Sequence, residues 1–162
     1  MAHKYYFTYD QLGNDVSRWK DIGEDLLFSS EQLMKSFYKE RKVRSVFLPA
    51  LMLKAFGIEC LLKGVYLVRG NKIVINNKIK KFNAKPHDLV EICKEFNVSI
   101  SIQEKEMLEQ LTATARNIGR YPIAKNINEK SNIIWTEPNS SIALQKFIDK
   151  LLEEIYQYSF SR

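Results

Sequence analysis

The stretch Phe47-Leu48-Pro49-Ala50-Leu51-Met52-Leu53-Lys54-Ala55-Phe56-Gly57-Ile58-Glu59-Cys60-Leu61-Leu62-Lys63-Gly64-Val65-Tyr66-Leu67-Val68-Arg69-Gly70 decides the fold. Proline is tolerated in the first turn of a helix, so the spacing predicts a start near Pro49. Gly70 is a credible stop after Arg69. Met52, Ala55, Phe56, Cys60, Leu62, Tyr66 and Leu67 leave this helix apolar on more than one face. Such a helix needs cover from several sides, which is the position of the central helix of a bundle. Lys54, Glu59 and Lys63 interrupt the apolar run, and a membrane span carrying those charges would be costly. No membrane association is expected.

Upstream, Leu12, Val16, Trp19, Gly23, Leu26, Ser30, Leu33 and Phe37 recur at steps of four and three. That is one face of a long helix, with small residues at two contact positions. Thr8 and Gln11 have capping-box spacing, Asp10 is an alternative cap, and the cations among Lys39-Glu40-Arg41-Lys42 suit a C-terminus. Downstream, Gly70 to Pro86 carries lysines at 72, 78, 80, 81 and 85. The alternation from Ile73 to Ile79 reads as a small hairpin or as an exposed basic loop. A short helix is expected from His87 to Phe96, with Leu89, Ile92, Cys93 and Phe96 inward. Ser101 and Glu104 open another helix with a capping box. Met107, Leu108, Leu111, Ala115 and Ile118 carry it to about Gly119, and Pro122 stops it. Tyr121 to Asn139, with Trp135, shows no regular pattern, and loops of that length are commonly functional or mobile. After Ser140-Ser141 a last helix is expected, lined by Ile142, Leu144, Phe147, Ile148, Leu151, Leu152, Ile155 and Tyr156. The expected architecture is all-α: an up-and-down bundle of four to five helices, one domain over residues 1–162, with a basic loop or small hairpin near residues 70–86.

Composition narrows the function classes. Hydrophobic residues make up 45% and charged residues 27% of the 162, a globular balance that argues against disorder of the whole chain. The net charge of +6 favours anionic partners such as RNA, DNA or nucleotides. Cys60 and Cys93 sit in apolar helical patterns and read as buried free thiols. With His3 and His87 as the histidines and no Cys-x-x-Cys, neither a metal site nor a cofactor is expected. The N-terminus lacks the apolar run of a signal peptide, and the cysteine usage fits a reducing, cytoplasmic location.

The residues able to carry chemistry are few. Arg116 and Arg120 are four apart and project from one side of a helix, with Asn117 beside them. Two guanidinium forks on one face can grip a phosphate; equally, basic residues at a helix end satisfy its carbonyls. Glu59 and Lys63 have the spacing and order of a helix ion pair inside the most apolar helix. There Glu59 is expected to anchor an arginine such as Arg116, either structurally or to orient it toward a ligand. His87-Asp88 follows Pro86 at a helix start, where His87 reads as a cap or as a general base near the arginines. Neither a Gly-rich phosphate loop nor a pair of carboxylates with catalytic spacing is present.

Four features taken together resemble the HEPN superfamily (higher eukaryotes and prokaryotes nucleotide-binding domains). They are Ala55…Glu59…Leu62-Lys63, His87-Asp88-Leu89, Arg116-Asn117, and Arg120-Tyr121-Pro122, spanning roughly residues 45 to 125. The resemblance implies a bundle of four or five helices and a homodimer with its arginine motifs facing each other. It also implies a setting in toxin–antitoxin or phage-defence systems, sometimes beside a nucleotidyltransferase partner. Some members are metal-independent endoribonucleases, whose motif is an arginine, often a polar residue, and then a histidine after four to six intervening residues. Arg116 and Asn117 match the front of that motif, but Tyr121 stands where the histidine falls at the shortest spacing. Tyrosine, with a pKa of about 10, is a poor base near neutrality, though it can hydrogen-bond or stack.

Three readings follow. One is a non-catalytic nucleotide- or RNA-binding protein using Arg116, Asn117, Arg120 and Tyr121, with Glu59 and Lys63 in support. Another is a metal-independent endoribonuclease with His87 as a displaced base. The third is a helical dimerisation or partner-binding module whose arginines are structural.

Overall fold

The structure is a computed structural model and describes residues 7–39, 46–118 and 138–160. It is an all-α helical bundle with one minute hairpin. The elements are α1 (Tyr9–Gly13), α2 (Val16–Lys39), α3 (Phe47–Val68), β1 (Val74–Ile75), β2 (Lys78–Ile79), α4 (Leu89–Glu95), α5 (Ile102–Ala113) and α6 (Pro138–Phe160). A π-helical turn, Thr114–Ile118, continues α5.

α3 occupies the centre, touching α2, α4, α5, α6 and the π turn. Its Leu51, Ile58, Leu61, Leu62 and Val65 are buried against Leu89, Leu108, Leu111, Phe147, Leu151 and Ile155. This is the cover that a many-sided apolar helix requires. Pro49 lies in its first turn, and Gly70 takes φ +82° just beyond its end.

The crossing of α2 and α3 rests on two glycines. A β-carbon at Gly57 would lie 2.9 Å from Leu27 Cγ and 3.0 Å from the Gly23 carbonyl oxygen. One at Gly23 would lie 2.8 Å from Leu61 Cδ2 and 3.1 Å from the Gly57 oxygen. The two backbones therefore meet where neither helix carries a side chain. Two turns along, the buried Ser30 hydroxyl donates to the Ala50 carbonyl at 2.7 Å, so its polar atom is satisfied.

The expected long first helix is broken. Gly13 ends α1, Asn14 caps it, and Asp15 accepts from Ser17 N–H at 3.0 Å to begin α2. The break frees Asn14 for the hairpin. Its Oδ1 accepts from Ile73 and Val74 N–H at 2.8 and 3.0 Å, and its Nδ2 donates to the Val74 carbonyl at 2.7 Å. The capping box of Thr8 and Gln11 and that of Ser101 and Glu104 both form.

The last helix begins at Pro138, ahead of Ser140-Ser141. It buries Leu144, Phe147, Ile148, Leu151 and Ile155 but leaves Ile142 and Tyr156 exposed. The expected endings at Lys39 to Lys42 and at Gly119 to Pro122 run into residues outside the described ones. So does the irregular segment with Trp135, up to residue 137. Among the described residues no helix is long and apolar enough to cross a membrane.

Candidate functional site

Three sequence features singled out for chemistry come together where α3, the start of α4 and the π turn meet. Glu59, on α3, is the centre. Its Oε1 accepts from Lys63 Nζ at 2.9 Å, one helical turn on. Its Oε2 lies 2.9 Å from His87 Nδ1. Burial pushes the Glu59 carboxyl up, but Lys63, and then His87, more than offset this and hold it below the usual 4.5. An ionised carboxylate only accepts hydrogen bonds, so His87 Nδ1 carries the proton and, in the neutral ring, Nε2 is the acceptor nitrogen.

His87 reaches Glu59 through an unusual backbone conformation. Pro86 precedes it, and its own φ is +62°, a left-handed value that non-glycine residues adopt infrequently. The imidazole also stands edge-on to Phe56, centroids 5.2 Å apart. The expected capping role falls to its neighbour. Asp88 is the N-cap of α4, accepting from Glu91 N–H, and the helix starts at Leu89 instead of His87. A carboxylate accepts the exposed amide of a first turn better than an imidazole committed to Glu59. The Leu89 N–H donates to Thr112 Oγ1 at 3.0 Å, fixing this turn to α5.

Arg116 arrives from the π turn. Its Nη1 donates to Asp88 Oδ2 at 3.3 Å. Glu59, expected to anchor it, is instead occupied by Lys63 and His87, and the Arg116 anchor is Asp88. The flanking Thr114 and Ala115 are fully buried, and Thr114 Oγ1 donates back to the Gln110 carbonyl at 3.0 Å. A π turn widens the helix by one residue and is frequent at functional sites. Here it sets the arginine against the start of α4. Asn117 lies in the same turn. Arg120 and Tyr121 lie outside the described residues.

Lys63 has a second contact: its ammonium sits 4.7 Å from the Trp19 ring centroid, and Trp19 Nε1 donates to the Gly13 carbonyl at 2.9 Å. The cluster thus runs from Trp19 through Lys63, Glu59 and His87 to Asp88 and Arg116. Its formal charges balance, Glu59 and Asp88 against Lys63 and Arg116. Attraction for an anion has to come from neighbouring lysines, and Lys72, Lys78, Lys80, Lys81 and Lys85 are all exposed. Lys80 folds back on Tyr66, its Nζ 2.6 Å from the phenol oxygen.

Reasoning from sequence missed Asp88 as the arginine's partner, and Phe56 and Trp19 as walls. The order His87-Asp88 was the available signal, since one residue faces α3 and the next faces the π turn. Both cysteines are free, and burial raises both thiols, Cys93 to about 12. Neither suits a nucleophile. Among the described residues no group of three or more His, Cys, Asp and Glu is placed to hold a metal ion. A cavity of about 500 Å³ lies apart from the cluster, lined by Ser17, Lys20, Asn71, Lys72 and Tyr158 among others. It shares no residue with the arginine site, and its Lys20 is already held by Asp21 and Glu24. Comparison of the chain with family models, curated proteins and solved structures finds no match.

Proposed function

We propose that this is a HEPN-like protein that binds a nucleotide or single-stranded RNA and lacks the standard ribonuclease activity of that superfamily. The observation that carries the reading is the meeting of three motifs far apart in the chain, in two hydrogen-bonded pairs, Glu59 with His87 and Asp88 with Arg116, joined by the His87-Asp88 peptide. Among the described residues Arg116 spends one of its five donors, on Asp88, and a guanidinium fork held at one nitrogen is able to take a phosphate oxygen. Asn117, Arg120 and Tyr121 would complete the contact with phosphate and base. The exposed lysines from Lys72 to Lys85 would add attraction without sequence preference. A homodimer, a nucleotidyltransferase partner and a toxin–antitoxin or defence setting belong to the same proposal.

The test is RNA binding by the purified chain across a salt series. For single strands, the logarithm of affinity falls by roughly 0.7 per neutralised phosphate for each tenfold rise in salt. A steep fall, with marked loss in Arg116→Ala at unchanged stability, supports the reading. Salt-independent or absent binding refutes it and leaves the partner-binding module.

One contact favours a second reading. A histidine oriented through Nδ1 by a carboxylate, as His87 is by Glu59, has the arrangement of a general base. Metal-independent cleavage of labelled RNA in EDTA, abolished by His87→Ala, would make the chain a ribonuclease with a displaced base. Intact RNA leaves the binding protein ahead.

A further inference from the structure

Lys54 sits oddly in this fold. It projects from the most apolar helix, α3, and is half-buried. Lys20, Lys63, Lys80, Lys85, Lys105 and Lys150 each bond to a carboxylate, a hydroxyl or a carbonyl. Among the described residues no acceptor bonds to the Lys54 ammonium. Glu31 attracts it only from beyond ion-pair distance, and burial lowers its pKa from the ordinary 10.5.

Lys54 lines a groove of about 200 Å³ between α2 and α6. Leu27 and Phe28 form one wall, Ile148 and Leu152 the other, and Glu24 and Glu31 border it. Phe28 is 63% exposed, so the groove is open to a reagent from solvent. An unpaired cation against apolar walls is unfavourable in two ways: its charge is poorly solvated, and the walls are left partly uncovered. A bound anion would meet the first defect, but Glu24 and Glu31 at the border oppose it. An acyl group on the nitrogen meets both, since the amide is neutral and its carbons cover the walls.

We infer that Lys54 is an acylation site, the amine at this groove taking an acyl group from an activated donor, an acyl phosphate or a thioester. The unprotonated Nζ attacks the acyl carbon and a C–N bond forms. The C–O bond to phosphate, or the C–S bond to the thiol, breaks and takes its electron pair with the leaving group. The nitrogen's proton passes to water, and nothing is oxidised or reduced. The low basicity imposed by burial keeps more of the amine in its reactive form near neutral pH than at an exposed lysine.

The experiment treats the folded 162-residue chain near neutral pH with limiting acetyl phosphate in one arm and acetyl-coenzyme A in the other. Peptide mass spectrometry follows Lys54 against exposed lysines on the flanking helices, Lys35 on α2 and Lys146 on α6. Lys54 is expected to be acetylated several-fold faster than either in at least one arm, and the arm in which it leads names the donor. The lead should vanish in urea-unfolded chain, and the modified protein should melt higher than the untreated one. Acetylation of Lys54 no faster than Lys35 and Lys146 in both arms overturns the inference, as does a preference that survives unfolding. Because unfolded chain is the internal reference, the test needs no substitution.

Discussion

Arg116 and Asp88 are joined through a single carboxylate oxygen, Oδ2 at 3.3 Å, while the other oxygen, Oδ1, accepts the Glu91 amide at 3.1 Å and caps α4. The two duties separate by mutation. Asparagine caps about as well as aspartate, so Asp88→Asn keeps the helix start and removes the charge that competes for the guanidinium. If a phosphate takes Arg116 from Asp88, the variant should bind single-stranded RNA more tightly. A half-exposed pair is worth up to about 1 kcal/mol, which sets the gain at roughly two- to fivefold. Asp88→Ala also loses the cap and should cost about 1 kcal/mol in thermal unfolding. Weaker binding by Asp88→Asn at wild-type stability would mean that Asp88 aims the arginine and does not occupy it.

Glu59 predicts an acid limb to the stability. Its carboxyl titrates below the ordinary 4.5 in the folded chain, through Lys63 and His87 and against its burial. The stabilisation from that depression is complete above 4.5 and is lost as pH falls through the folded value. Glu59→Gln should lower stability near neutral pH by about 1–2 kcal/mol, the scale of hydrogen bonds to a charged group. The gap between variant and parent should close as the solution is acidified below 4.5. Urea unfolding across pH measures this, and a gap that stays constant on acidification would show that the ionised carboxylate is not the source.

The glycine crossing makes a sharper demand. Alanine is the better helix former by up to about 1 kcal/mol, so Gly57→Ala on an isolated helix would stabilise. In this fold the new carbon meets the Gly23 carbonyl at 3.0 Å, and backbone cannot swing aside as a side chain can. The helices must separate, and overpacking of this kind costs about 1–3 kcal/mol. A net loss of roughly 1–2 kcal/mol is expected, and a gain in thermal unfolding would mean that the helices cross farther apart.

What could be read in advance followed short-range physics. The many-sided apolarity of α3 marked the centre, the pairs Thr8–Gln11 and Ser101–Glu104 marked two helix starts, and Gly23 and Ser30 marked the α2 contact face. What could not be read depended on distant partners. Asn14 breaks the first helix because the amides of Ile73 and Val74 claim its side chain, and no local periodicity carries that information. Leu27 is the leucine buried between Gly23 and Ser30, where Leu26 was expected, because 23 and 27 are one helical turn apart on the face that meets α3. Glu59 was readable as paired with Lys63 by its i,i+4 spacing. Its bond to His87 was not, because it depends on a left-handed turn at His87. The charge of Glu59 in an apolar helix calls for a cation such as Arg116, but Lys63 and His87 fill that place and the π turn delivers Arg116 to Asp88.

The hairpin offers a test that needs no ligand. Asn76 and Asn77 take φ +52° and +60°, the left-handed pair of a type I′ turn between Val74–Ile75 and Lys78–Ile79. Asp10, from α1, accepts both of their amides, at 3.0 Å from Asn76 and 2.6 Å from Asn77. The turn is therefore held by its residue types and by a carboxylate far away in sequence. Asn77→Gly relieves the remaining backbone strain and should be neutral or slightly stabilising. Asn77→Val forces a β-branched residue into the left-handed region and should cost about 1–2 kcal/mol. Asp10→Ala leaves the dihedrals alone but removes two charge-assisted acceptors. Amide exchange should accelerate at Asn76 and Asn77 in that variant while α3 stays protected. Unchanged exchange at those two amides would mean that the turn stands on its asparagines alone.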